Sequence, residues 1–182
     1  RTLDDALALR ARMADRPDVV IVGGGPLGME AASGALEAGC RVTLVTHSAP
    51  LTTHLGSHLS HAITAAAVEH GLRIVTTTDA RLITRDGRTA VALADGSTLQ
   101  GDLVLTAVGD IPNTEWLAGS GLGAAGALAV DTRGRLRPDI VAAGDVAAVP
   151  TPQGSARSPL WHSAIEQARV AATALLQGDA AP

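Results

Sequence analysis

At 182 residues the chain is long enough for one large or two small domains with an ordinary core, and its net charge of −4 comes from acidic and basic side chains mixed along its length. That mixture supplies no basic stripe for nucleic acid, and a composition with two Trp, no Tyr and no Phe supplies no aromatic platform for single strands. A single cysteine, Cys40, excludes an internal disulfide and a C-x-x-C pair; no apolar run reaches membrane-span length and no signal-peptide order opens the chain, so the sequence reads as cytoplasmic and free of membrane.

Residues 2–15 carry a Thr/Asp start signal and apolar positions at helical spacing, and Pro17 ends the pattern. Val19-Val20-Ile21-Val22 is a strand-forming run that leads into Gly23-Gly24-Gly25-Pro26-Leu27-Gly28. This G-x-G-x-x-G has a strand before it, a small-residue helical pattern from Met29 to Ala38 after it, and a second strand at Arg41–Val45. In that setting it predicts a dinucleotide-binding turn. Gly23 lets the chain leave the strand sharply, Gly25 lets backbone approach a pyrophosphate, and Gly28 lets the helix pack closely on the sheet. The helix start, with Pro26 and Leu27, offers unpaired N–H groups and the positive end of a dipole to the phosphates.

Cys40 lies at the junction of helix and second strand and reads as structural. A loop through Ser48, Ala49 and Pro50 leads to a helix expected from about Ser57 to His70, with Gly71 as its cap and a strand from Leu72. Histidines 54, 58 and 61 could share one helix face, but no carboxylate or cysteine is near them in sequence. With Leu55, Leu59 and Ile63 assigned to the buried face, these histidines read as a solvated polar face rather than a metal site.

From Asp79 the period changes. Ala80–Thr84, Ala90–Leu93 and Thr98–Gln100 are short runs separated by two Asp-Gly turns, which predicts an antiparallel meander over about residues 79–100 inserted into the α/β unit. Residues 102–109 return as a buried strand. A connector at 111–117, a glycine-rich stretch at 119–126, strands near 127–130 and 140–143, and a helix from about Trp161 to Gln177 complete the chain. The expected fold class is α/β: a Rossmann-like domain over residues 1–117, with a parallel sheet and the meander insert, and a second unit over 118–182.

Four motifs then stand in order: the glycine turn, the two-hairpin insert, a strand ending Thr106-Ala107-Val108-Gly109-Asp110-Ile111-Pro112-Asn113-Thr114, and Ala143-Gly144-Asp145 followed by Trp161-His162-Ser163-Ala164-Ile165-Glu166-Gln167-Ala168. Together they resemble the FAD-dependent pyridine nucleotide-disulfide oxidoreductases, most closely their ferredoxin/rubredoxin reductase branch, over nearly the whole chain. The resemblance implies NAD(P)H on the glycine turn and FAD on Gly144 and Asp145, whose carboxylate would accept hydrogen bonds from ribityl hydroxyls. It further implies that Glu30 reaches towards the nicotinamide, that Trp161 lies near the flavin ring, and that Val108 and Gly109 contact cofactor. Thr46 and His47 stand where the ribose is read, but Thr46 replaces the usual acid, so the choice between NAD and NADP is not legible.

The cofactors carry the chemistry of such a protein, so no catalytic acid, base, nucleophile or metal ligand is expected. The implied enzyme passes hydride from NAD(P)H to flavin and electrons on to a ferredoxin-like iron–sulfur protein. In the family a first FAD-binding unit precedes a segment like Arg1–Ala6 and a dimerisation domain follows Gln177. The chain is therefore expected to be the middle of a longer protein, inactive alone, with 118–182 as the C-terminal part of the FAD-binding domain. A non-catalytic NAD(P)H sensor or regulatory module is the competing expectation; it would have no use for Gly144, Asp145 and Trp161.

Overall fold

Strand β1 (Asp18–Val22) is apolar after its first residue because both of its faces are covered. It pairs in parallel with β2 (Arg41–Thr46) on one side and, on the other, with a strand at Leu103–Thr106; a strand at Arg73–Thr76 lies outside β2 and is also parallel. Side chains alternate between the two faces. Val19 and Ile21 join Val42 and Leu44 against Ala32 and Ala35 of a helix at Pro26–Glu37, with Leu9 and Met13 of the N-terminal helix partly buried on the same cluster. Val20 and Val45 face the other way and pack against Val91. Fully burying such a side chain contributes roughly 1.5–3 kcal/mol, so this doubly covered sheet is the main support of the fold. The small side chains of Ala32 and Ala35, both essentially without exposed surface, let the helix sit close to the strands.

The computed structural model describes residues 2–122 and 126–178. The chain divides into two compact units, Arg1–Gly109 and Asp110–Pro182. The first contains α1 (Leu3–Met13), β1, α2 (Pro26–Glu37), β2, α3 (Thr52–Glu69), β3 (Arg73–Thr76) and β7 (Leu103–Thr106), and its four parallel strands stand in the order β3-β2-β1-β7. The meander between β3 and β7 consists of β4 (Ala80–Arg85), β5 (Arg88–Leu93) and β6 (Thr98–Gln100), all antiparallel. Its first turn places Asp86 at φ 50° and Gly87 at φ 74°, the paired positive φ values that make Asp-Gly suit a two-residue hairpin.

Helix α3 corrects one expectation. Gly56, at φ 73° and ψ 170°, kinks it, so the regular part runs on from Ser57 as the spacing predicts. Leu55, Leu59 and Ile63 do not form its buried face; all three are exposed, and the buried residue is Ser60. The Ser60 hydroxyl donates to the Pro50 carbonyl at 2.6 Å and lies 2.9 Å from the Thr52 hydroxyl, and that buried network sets the helix rotation. Among the described residues no three His, Cys, Asp or Glu side chains are grouped so as to hold a metal.

The second unit holds a short 3-10 helix at Glu115–Leu117, β8 (Leu128–Ala129), β9 (Arg135–Arg137), β10 (Ile140–Val141), β11 (Ala147–Thr151), β12 (Gly154–Ala156) and α4 (Trp161–Gln177). β11 runs parallel to β8 and antiparallel to β12, and β9 pairs with β10. Arg135 donates to the Ala174 carbonyl at 2.9 Å and Arg133 to the Gly178 carbonyl at 3.4 Å, so two cations meet the C-terminal end of α4. This compact unit begins at Asp110, and the connector is tied into it: Arg157 pairs with Asp110, and the Thr114 hydroxyl donates to the Gly126 carbonyl at 2.9 Å. Residues 123–125 of the expected glycine-rich stretch lie outside the described residues. Among the described residues no helix is long and apolar enough to cross a membrane.

Candidate functional site: a glycine turn at the strand ends

The first unit gathers its candidate residues where the parallel strands end. The Gly23 N–H donates to the Val45 carbonyl at 2.8 Å and the Ala107 N–H to the Val22 carbonyl at 2.7 Å, which draws β1, β2 and β7 together around the turn. Gly23 sits at φ 118°, and a Cβ there would lie 2.2 Å from the Ala107 carbonyl oxygen. A Cβ on Gly28 would lie 1.9 Å from the Gly23 carbonyl oxygen. The protein's own packing therefore requires both glycines. Gly24 is a third, which the motif does not specify: its Cβ would meet the Thr46 hydroxyl at 2.5 Å.

Gly25 differs from these. Its backbone is extended at φ −78° and ψ −176°, a conformation open to any residue, and an added Cβ would meet nothing within 4 Å. It is the N-cap of α2 with no side-chain cap, and Pro26 opens the first turn. The helix start thus presents uncapped N–H groups beneath a surface that a side chain at Gly25 would obstruct. This uncapped cradle fits a pyrophosphate.

Beside it lies a cavity of about 420 Å³, bounded by Gly23–Gly25, by Thr46 at the end of β2 and His47 after it, by Thr77–Asp79 between β3 and β4 and Ala80 at the start of β4, and by Ala107 and Val108 after β7. Thr46 is buried, with its hydroxyl donating to the Ser48 carbonyl at 2.9 Å, whereas His47 and Val108 are exposed. Leu27 is exposed on the first turn of α2; Glu30 is exposed on the same helix and does not line the cavity. Gly109 stands at φ 133° with open space around it. Thr77 and Asp79 were not among the expected site residues; the rule that ligands meet the carboxyl ends of parallel strands could have found them.

In the second unit Gly144 adopts φ 80° and its N–H donates to the Gln167 side-chain oxygen at 2.8 Å. The neighbouring Asp145 side chain is exposed, while its backbone carbonyl accepts from Arg157 at 3.0 Å. The same guanidinium pairs with the Asp110 carboxylate and donates to the Asp110 carbonyl at 3.2 Å. Gly144-Asp145 is thus held on two sides, by Gln167 from α4 and by Arg157. No sequence signal marks Arg157, because its partners are 12 and 47 residues away. Trp161, the first residue of α4, is 85% exposed.

A parallel sheet with a glycine turn and an uncapped helix start at its strand ends defines a dinucleotide-binding α/β protein. The chain belongs to the pyridine nucleotide-disulphide oxidoreductase family, whose model matches residues 1–171. It is 34% identical over 180 residues to the biphenyl dioxygenase system ferredoxin–NAD(+) reductase component of Paraburkholderia xenovorans (strain LB400), covering 97% of this chain and 44% of that protein. Rhodocoxin reductase of Rhodococcus erythropolis is 35% identical over 182 residues, covering 96% and 42%. The crystal structure of the ferredoxin reductase for the CYP199A2 system from Rhodopseudomonas palustris superposes with a TM-score of 0.81 at 34% identity, over 100% of this chain and 46% of that one. The chain therefore spans under half the length of these relatives.

Proposed function

We propose that this chain is the nicotinamide-nucleotide portion of a cytoplasmic FAD-dependent oxidoreductase that delivers electrons to a ferredoxin-like iron–sulfur protein. The observation that carries the proposal is the contrast at the turn: Gly23 and Gly28 are demanded by internal packing, while Gly25 is demanded by nothing inside the protein. Relatives named as ferredoxin reductases support the same reading.

The N–H groups opening α2 would hold the pyrophosphate, with Gly25 giving access and the helix dipole favouring its charge. Asp145 would accept hydrogen bonds from the flavin's ribityl hydroxyls, and Gln167 and Arg157 fix the loop that carries it. Glu30, Leu27, Val108 and Gly109 would contact the nicotinamide nucleotide, and Trp161 the flavin side. When bound, the nicotinamide supplies a hydride and the flavin accepts it. The chain's own part is to bind, orient and polarise. We place the first compact unit with the nicotinamide nucleotide and the second with the flavin. Calorimetric titration tests the site: NADH should bind the wild-type chain, and Gly25→Val should weaken it by about 1–3 kcal/mol, the cost of leaving polar groups unpaired. Equal affinities would remove the assignment.

A further inference from the structure

We infer that His47, not Thr46, reads the 2′ position of the adenosine ribose, and that the chain accepts NADPH as well as NADH; this rests on the proposal that the glycine turn holds the nucleotide. The end of the second strand is where an acid selects the free ribose and a cation selects its 2′-phosphate. Thr46 occupies that position and borders the cavity, but its side chain is buried and its hydroxyl is engaged. It is 6% exposed, its hydroxyl is committed to the Ser48 carbonyl at 2.9 Å, and it lies beneath Gly24, where a Cβ would come within 2.5 Å of the hydroxyl oxygen. Rotating it outward would abandon a bond and disturb the turn itself.

The next residue, His47, is exposed and lines the cavity. The loop after it, Ser48-Ala49-Pro50-Leu51, carries no charged side chain. Among the described residues that line the cavity, His47 is the one side chain able to become cationic and Asp79 the one carboxylate. Asp79 is already paired with Arg81 at 2.7 Å, so its charge is offset locally.

The ribose end thus lacks both extremes. It has no unpaired carboxylate to grip two hydroxyls and repel a phosphate, and no arginine fork to demand one. An imidazole serves either ligand: as a neutral ring it exchanges one hydrogen bond with a 2′-hydroxyl, and as a cation it attracts a 2′-phosphate.

Calorimetric titration of the full 182-residue chain with NADH and with NADPH tests this. For the wild type, the two dissociation constants should agree within about tenfold. His47→Glu should weaken NADPH by about tenfold or more while NADH holds or tightens, and His47→Arg should move the ratio the other way. His47 is exposed, so neither variant should unfold the protein, and thermal melts check that directly. A wild type that rejects NADPH by more than about a hundredfold overturns the dual acceptance. A ratio indifferent to His47 but moved by Asp79→Asn overturns the assignment of the reader. If NADH binds and weakens on Gly25→Val while the ratio ignores His47, the inference fails and the nucleotide site stands. If neither nucleotide binds, both fall.

Discussion

Gly25 and Gly28 stand three residues apart in one motif and should respond oppositely to the same methyl group. Gly28→Ala places a Cβ 1.9 Å from a backbone oxygen that cannot swing aside, so helix and strand must separate. Overpacking of this kind costs about 1–3 kcal/mol or more, and urea denaturation should show it without any ligand present. Gly25→Ala meets open space and should cost at most about 1 kcal/mol, the difference between glycine and alanine at an N-cap. Its damage should instead appear as lost NADH affinity. If the two variants are equally destabilised, Gly25 has a packing role that its surroundings do not show. A titration belongs at this scale as well. Thr2 holds the Asp5 carboxyl down to about 2, through its backbone N–H first and its hydroxyl second. A depressed carboxyl contributes stability that is present above its unfolded value and is lost as pH falls through the folded one. The first turn of α1 should therefore keep its cap at pH 5 and loosen between about pH 4 and pH 2. A carboxyl resonance of Asp5 titrating near 4 would contradict the capping geometry.

The elements differ in how plainly the sequence announced them. β1, β2, β7 and α2 were legible because continuous apolar runs and a glycine turn leave few alternatives, and the meander because Asp86-Gly87 suits one turn geometry. α3 shows the limit. Its leucines repeat at helical spacing and suggested the buried face, yet Ser60 is the residue inside, held by a carbonyl ten positions earlier. Helical period states which residues share a face and not which face is covered. Ser60→Ala should accordingly cost about 1–3 kcal/mol by leaving the Pro50 carbonyl unpaired, and Leu59→Ala, at a half-exposed position, less than about 0.5 kcal/mol. The reverse order in denaturation midpoints would restore the leucine face. β9 and β12, of three residues each, and β11, interrupted by Pro150, are too short or too irregular for alternation to register. At the site the motif glycines were legible as local chemistry; Gly24 needed Thr46, and Arg157 needed Asp110 and Asp145, pairings that only the folded chain creates.

For the whole molecule, the chain carries one G-x-G-x-x-G set between a strand and a helix, and one loop, Gly144-Asp145, that the proposed function gives to the flavin. FAD has an ADP half as well as a flavin half, and each tenfold of affinity needs about 1.4 kcal/mol. The 182-residue chain should therefore purify colourless while still binding a nicotinamide nucleotide, and a stoichiometric flavin spectrum from it would refute that division of labour. The two tryptophans carry an optical consequence. Trp116 and Trp161 are 73% and 85% exposed and both belong to the unit Asp110–Pro182, while residues 1–109 contain no Trp, Tyr or Phe. Intrinsic fluorescence therefore reports on the second unit alone, and the first is dark. Far-ultraviolet ellipticity sees the helices of both. Overlaid on one denaturant axis, coincident curves from the two signals would mean that the units melt as one cooperative body, and displaced curves would give each unit its own midpoint without any label being introduced.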